Sequence, residues 1–157
     1  MRSSILILIF VLLLTGCEAF TAQQREDISN LQASTQTTGG DASVEFVRAI
    51  QQGDTWTFHV TVRHEDTGWD DYADGWDVVL PDGTVLKSNA DDVFTRLLLH
   101  PHETEQPFTR SQSGLVIPDG ITSVTVRAHD LVNGFGGQEV VVGLTVDSGD
   151  NFEVERG

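Results

Sequence analysis

Apolar and polar residues alternate with a period of two over several segments after residue 43. In the clearest case, Trp56, Phe58, Val60 and Val62 are separated by polar residues. The same pattern recurs at Val124, Val126 and Ala128, and again at Val140, Val142, Leu144 and Val146. Such alternation is typical of β-strands with one buried and one exposed face. No sustained helical stripe follows residue 43, so the sequence predicts an all-β domain.

Turn-forming residues separate the alternating segments. They are Gly53-Asp54, Pro81-Asp82-Gly83, Pro118-Asp119-Gly120 and Asn133-Gly134, and such pairs and triplets are strong turn signals. The strands predicted between them lie near 44–50, 55–64, 76–80, 84–87, 94–99, 107–117, 122–129 and 138–146. Many short strands with closely spaced turns favour an antiparallel β-sandwich, immunoglobulin-like or fibronectin-III-like, of about 100 residues. A small barrel is the alternative.

The N-terminus has the features of a secretory signal peptide. Arg2 precedes an unbroken apolar run over residues 5–14, and small residues follow at 15 and 16. A spanning helix needs roughly 18–20 apolar residues, so this run is too short to span a bilayer. The segment Leu14-Thr15-Gly16-Cys17 resembles the bacterial lipobox, whose cysteine sulfur receives a diacylglycerol before cleavage. The alternative is an ordinary signal peptide that ends by chance at a cysteine.

These signals divide the chain into four parts. Residues 1–16 are the predicted lipoprotein signal peptide. Residues 17–43 are rich in Gln, Ser and Thr and too polar to bury a core, so they are expected to form a flexible tether. Residues 44–147 form the predicted β-sandwich domain, and residues 148–157 a frayed tail.

Charge and cysteine content narrow the classes of partner. The chain has 24 acidic residues against 9 Lys and Arg, for a formal net charge of −15. A chain this acidic has a negative electrostatic field and offers no basic patch for phosphates, so nucleic-acid binding is excluded. Cys17 is the only cysteine, which leaves the domain without disulfides. The expected partners are a membrane, through the N-terminal lipid, and an envelope protein or glycan.

Six sequence blocks occur in order between residues 63 and 142. They are DTGWD at 66–70, YAD at 72–74, PDG at 81–83, HPH at 100–102, EQPFTRS at 105–111 and GFGG at 134–137. Together they resemble an uncharacterised family of small secreted bacterial lipoproteins. The chain departs from that pattern at residues 87–92, where a variant or inserted turn stands. The resemblance implies a shared fold and assigns no functional residue.

The pair His100 and His102 is a candidate metal site. Two residues on one strand lie about 6.6 Å apart on the same face, and Pro101 favours an extended conformation before it. Imidazole suits copper and zinc. His64 is a candidate third ligand, and His129 or Glu103 is a candidate fourth. The alternative is that these histidines hydrogen-bond loop carbonyls or nearby carboxylates.

The acidic loop after Trp69 is a candidate calcium or ligand site. Closely spaced aspartates precede a glycine there, but position 12 of an EF-hand would be a proline, so the loop is not an EF-hand. Asp70, Asp74 and Asp77 could still bind calcium in a non-standard geometry. Trp69 is the candidate aromatic platform for a sugar or peptide. The alternative is an acidic loop whose aromatic residues cap one end of the sandwich.

No catalytic signature is present in the sequence. It contains no G-x-S-x-G, no H-E-x-x-H and no phosphate-binding glycine loop, and Arg110 is expected to pair with Glu105. The leading hypothesis is therefore a non-enzymatic binding module, anchored by lipid at the periplasmic or cell-surface side of a membrane. The alternatives are copper or zinc binding through the histidines, and an envelope glycan hydrolase that uses the acidic loop.

Overall fold

The computed structural model describes residues 40–157, and this part of the chain is all-β, with no helix. It contains nine strands: β1 (Ser43–Gln52), β2 (Thr55–Arg63), β3 (Ala73–Val79), β4 (Arg96–Leu97), β5 (Phe108–Leu115), β6 (Ser123–Asp130), β7 (Val140–Gly143), β8 (Ser148–Gly149) and β9 (Phe152–Arg156). The predicted signal peptide, Cys17 and the predicted tether up to residue 39 lie outside the described residues. The prediction of an all-β domain is confirmed.

The strands form two mostly antiparallel sheets. The first has five strands in the order β5-β2-β1-β9-β8, and the second has four in the order β4-β3-β6-β7. The pairing of β1 with β9 is parallel, while the other paired strands are antiparallel. Apolar side chains from both sheets pack into one hydrophobic core.

The alternation in the sequence accounts for most of this core. Each of the four alternating apolar residues of β2 is buried, as are Val124, Val126 and Ala128 of β6. In β1 the pairing register shifts between Val44 and Phe46. This irregularity moves Val47 into the core and leaves Phe46 38% exposed, because one additional residue reverses which side chains face inward.

The segment 84–99 forms fewer strands than the sequence predicts. It contains an isolated bridge between Val79 and Val85 and the two-residue β4, where two full strands were expected. Single backbone hydrogen bonds, such as Leu86 N–H to Val78 O at 2.9 Å, and side-chain hydrogen bonds join this segment to β3. Thr95 Oγ1 accepts the Val78 N–H at 2.8 Å, and the Thr95 N–H donates to Asp77 Oδ1 at 3.0 Å.

The prediction of a frayed tail over residues 148–157 is wrong. Residues 152–156 form β9, which pairs along β1 with Phe152 opposite Val47 and Val154 opposite Ala49. Phe152 and Val154 are 8% and 4% exposed. A strand with only two buried residues gives too short an alternation to be recognised from the sequence. Its burial depends on pairing with the edge of β1, which the sequence does not reveal.

The contribution of β9 to stability can be tested by Phe152→Ala. Removing a buried phenylalanine ring costs about 3 kcal/mol through lost burial and the cavity that remains, so the free energy of unfolding in denaturant should fall by that amount. Val141→Ala is the matched control, because Val141 is 61% exposed on β7 and its truncation should cost less than about 1 kcal/mol. Equal effects would show that the C-terminal strand is not part of the core.

Candidate functional site

A cluster of buried polar side chains lies at one end of the two sheets. Strands β2 and β6 end there, and β3 and β5 begin there, so the loops 64–72, 98–107 and 131–139 meet; we call these loops the polar end. Contacts join them: Leu131 N donates to Tyr72 O at 3.2 Å. The buried residues, here named the polar cluster, are His64, Asp66, Asp71, His102 and Asp130.

His64 lies at the centre of the polar cluster, directly after β2, and its side chain is fully buried. Its Nδ1 is 2.7 Å from Asp66 Oδ1. Its Nε2 makes no hydrogen bond and lies 3.6 Å from Asp71 Oδ1. Burial alone would lower the pKa of His64, but the hydrogen bond to Asp66 and the charges of the nearby aspartates outweigh it, so the pKa is raised.

Asp66 connects two loops of the polar end to the start of β3. Its Oδ1 accepts the Ala73 N–H at 3.2 Å in addition to its contact with His64. Its Oδ2 accepts the His102 N–H at 2.6 Å. Burial would raise the pKa of Asp66, but these hydrogen bonds outweigh it and the pKa is lowered. Asp66 therefore remains an anion although it is buried.

Asp130 is the last residue of β6 and is also fully buried. Its Oδ1 accepts the N–H groups of Val132 and Asn133 at 3.0 and 2.6 Å, and its Oδ2 accepts the Ala42 N–H at 3.2 Å. One carboxylate oxygen of Asp130, one of Asp71 and a ring nitrogen of His64 all lie within 4.8 Å of one another. This group joins the ends of β2 and β6, which belong to different sheets.

His102 occupies the edge of the polar cluster. Its ring stacks on Phe108 with centroids 3.8 Å apart and planes 12° apart. Neither ring nitrogen makes a hydrogen bond, and Nδ1 is 3.8 Å from Asp66 Oδ2. Burial lowers the pKa of His102, and the positive charges of Arg110 and His100 lower it further.

The structure brings His64, His100 and His102 of the metal hypothesis near one another, whereas His129 has other partners. His64 and His102 both approach Asp66, and the ring of exposed His100 lies 4.5 Å from that of His102. His129 lies on the opposite face of β6 from Asp130. There its Nδ1 is 2.5 Å from Asp74 Oδ1, and its ring contacts Phe94 and Phe135.

The aspartates of the acidic loop have separate partners. Asp70 is exposed, Asp74 pairs with His129, and Asp77 is buried against Arg127 at 3.3 Å. These three carboxylates therefore do not share one partner.

Trp69 borders a shallow depression on the surface of the polar end. Trp69 is 68% exposed. Its ring packs edge-on against that of Tyr72, with the ring centroids 6.0 Å apart. The depression has a volume of about 420 Å³ and is lined by Trp69, His100, Pro101, His102, Glu103, Thr104 and Glu105. Arg110 Nη2 is 2.8 Å from Glu105 Oε2, which confirms the predicted pair and lowers the pKa of Glu105.

The roles of Asp66, Asp71 and Asp130 were not predicted from the sequence. For Asp130 a signal was available, because it follows Val124, Val126 and Ala128 in phase and so belongs to the buried face of β6. Asp66 and Asp71 lie in a loop, where periodicity carries no information about burial. Their burial depends on contacts with residues distant in the sequence, such as His102.

Comparison with known proteins finds a relative in Halomicrobium mukohataei, named "Putative lipoprotein". The two are 43% identical over 100 residues, which is 64% of this chain and 44% of the relative. The chain therefore spans less than half the length of that relative. No family model matches the chain, and no solved structure matches it. Among the described residues, no helix is long and apolar enough to cross a membrane.

The lowered pKa of His102 predicts a pH dependence of stability. Above the ordinary histidine pKa of about 6.5, the neutral ring contributes its full stability. As the pH falls from there toward the lower folded pKa, the unfolded chain takes up the proton first and the contribution is lost. The charged groups that act on the pKa of the ring are Arg110, His100, Asp66 and Glu105.

The test compares the wild type with His102→Phe, which keeps an aromatic ring against Phe108. Denaturant unfolding at pH 7.5, 6.5, 5.5 and 5.0 gives the free energy of unfolding of both proteins. The variant should gain stability relative to the wild type as the pH decreases. Parallel curves for the two proteins would contradict the lowered pKa.

Proposed function

We propose that this chain is a lipid-anchored, non-enzymatic binding domain that presents the polar end to a partner outside the cytoplasm. The observation that carries this proposal is the exposure of Trp69 beside an open depression. A tryptophan that is two-thirds exposed contributes little to the core, and large exposed aromatic groups are enriched at binding sites.

Two observations support the anchor. The segment 14–17 has the residues of a lipobox after an apolar run of signal-peptide length. A relative with 43% identity over 100 residues carries the name "Putative lipoprotein". One acyl chain binds a membrane only marginally, whereas two or more hold a protein stably. A diacylated Cys17 would therefore keep the domain at the membrane.

The strand order supports an immunoglobulin-like or fibronectin-III-like sandwich as the fold. In such folds, strands A, B and E share one sheet, and C′, C, F and G share the other. The orders β1-β2-β5 and β4-β3-β6-β7 follow this scheme, with β9 and β8 added beyond β1. In this scheme the loops 64–72 and 131–139 correspond to the B–C and F–G loops, which belong to the binding sites of antibody variable domains.

Apolar side chains extend the surface around Trp69. Leu131 and Val132, in the loop after β6, are 46% and 49% exposed. The hydrogen bond from Leu131 to Tyr72 holds this loop against the one that carries Trp69. An apolar surface on adjoining loops favours contact with a protein over contact with a soluble ion or metabolite.

The charge of the domain favours a partner with basic groups. The chain carries a net charge of −15, and Glu103 and Glu105 line the depression beside Trp69. Opposite charge on the partner would accelerate association and exclude acidic competitors. The partner is therefore a protein of the cell envelope with a positively charged surface.

The anchor is tested by Cys17→Ser in the native host. The wild type should fractionate with membranes and resist extraction by salt, whereas the variant, without a sulfur to acylate, should move to the soluble fraction. Immunoblotting of both fractions provides the measurement. Membrane association that persists unchanged in Cys17→Ser would contradict a lipid anchor.

The binding surface is tested by placing a photo-reactive amino acid at position 69 in living cells. Position 141 is the control, since Val141 is also exposed but lies on β7. Irradiation should give a discrete higher-mass product from position 69 and none from position 141, as judged by immunoblotting. Products of equal yield from both positions, or none from position 69, would count against a specific partner at this surface.

A further inference from the structure

The polar cluster contains a nitrogen ligand and two carboxylates arranged around one point. A ring nitrogen of His64, one oxygen of Asp71 and one oxygen of Asp130 lie within 4.8 Å of one another. These residues are 2%, 5% and 0% exposed. They are distinct from the pair His100 and His102 that the sequence suggested.

The distance between two of these atoms fits metal ligands better than a hydrogen bond. His64 Nε2 is 3.6 Å from Asp71 Oδ1, beyond the range of an N–H···O hydrogen bond. Nitrogen and oxygen ligands lie about 2.0–2.2 Å from zinc, so two ligands of one tetrahedral ion are separated by about 3.4 Å. The observed separation is close to that value.

The orientation of His64 directs an unused ring nitrogen toward the carboxylates. The contact between Nδ1 and Asp66 Oδ1 at 2.7 Å favours the tautomer with the proton on Nδ1, which leaves a lone pair on Nε2. This nitrogen makes no hydrogen bond although the residue is buried. A carboxylate that hydrogen-bonds the far nitrogen is the usual partner of a metal-binding histidine.

The charge of the cluster also favours a bound cation. Three buried aspartates surround His64, so even a protonated imidazole would leave an excess of negative charge. Buried charge is costly unless it is paired or bound to a metal. The backbone N–H groups that donate to Asp66 and Asp130 reduce this cost.

We infer that His64, Asp71 and Asp130 bind one divalent transition-metal ion, with Asp66 positioning the histidine. One imidazole and two carboxylates are ligands that zinc accepts. Because the cluster contains only one histidine, it fits zinc better than copper, which favours sites with several nitrogen ligands. The ion would connect the end of β2 in one sheet to the end of β6 in the other. It would thereby fix the 64–72 loop, which carries Trp69. The inference is independent of the proposed binding role.

The primary experiment measures zinc binding by the full chain, purified without a polyhistidine tag. After removal of metal with a chelator, the protein is titrated with ZnCl₂ by calorimetry, and its melting temperature is recorded with and without zinc. We expect one equivalent of zinc to bind and the melting temperature to rise, because a ligand of the native state stabilises it. Absence of both effects would overturn the inference.

Matched variants identify the ligands. Asp71→Asn and His64→Gln should each weaken zinc binding at least ten-fold, whereas Asp70→Asn and His100→Gln, at exposed neighbouring positions, should bind zinc as the wild type does. Asp66→Asn should weaken binding about 10–100-fold by releasing the ring of His64. Far-UV circular dichroism establishes that each variant is folded. Loss of binding in His100→Gln with retention in Asp71→Asn would overturn the assignment in favour of the histidine pair.

X-ray absorption at the zinc edge of the wild type gives a test that does not depend on variants folding. The spectrum should fit one imidazole and otherwise oxygen ligands at about 2.0–2.2 Å. A fit that requires two or more imidazoles would contradict the proposed ligand set.

Discussion

The polar end depends on one buried interaction, the contact of 2.7 Å between His64 Nδ1 and Asp66 Oδ1. Both side chains are fully buried, where an ionised carboxylate without partners would be strongly destabilising. The Asp66 carboxylate stays ionised because it also accepts hydrogen bonds from the backbone N–H groups of Ala73 and His102. This one side chain therefore fixes the start of β3 and two loops relative to the end of β2.

The consequences of this arrangement extend to the surface. Loops that carry binding residues gain affinity when they are held in one conformation before the partner arrives. Asp66 and Asp71 belong to the same loop as Trp69, so buried polar contacts anchor the segment that presents the exposed aromatic ring. On the other face of the second sheet, Phe94 contacts the rings of His129 and Phe135. Phe94 also packs closely against Gly75, where an added Cβ would lie 2.1 Å from its ring. The two faces of this sheet thus have different roles, and His129 belongs to the second.

The sequence predicts the parts of the fold that follow from local periodicity. Strands β2 and β6 were predicted to within one residue at each end, because their alternation is regular. Strand β9 was missed because only Phe152 and Val154 carry its pattern. The alternation also placed His129 on the exposed face of β6, with Ser123 and Thr125. The hypothesis that His129 and His64 bind one metal therefore conflicts with the strand prediction, which places His64 in phase with buried residues and His129 on an exposed face.

The polar cluster could be predicted only in part, because its geometry is set by contacts between distant segments. His64 and His102 were selected as an imidazole-rich group, yet what joins them is Asp66, 36 residues before His102 in the chain. Asp71 and Asp130 come from a loop and a strand end that meet only in the folded chain. Residue type and spacing do not reveal such a meeting, whereas the in-phase position of Asp130 on a buried strand face does indicate a carboxylate with a specific role.

The central claim is that Asp66 holds His64 through Nδ1 and leaves Nε2 directed at Asp71, with Asp130 close by. Nuclear magnetic resonance of ¹⁵N-labelled protein, with long-range proton–nitrogen correlation of the histidine rings, tests this most directly at pH 7. The account predicts that Nδ1 of His64 carries a proton that exchanges slowly with water. A ring protonated on Nε2 alone, with bare Nδ1, would contradict it.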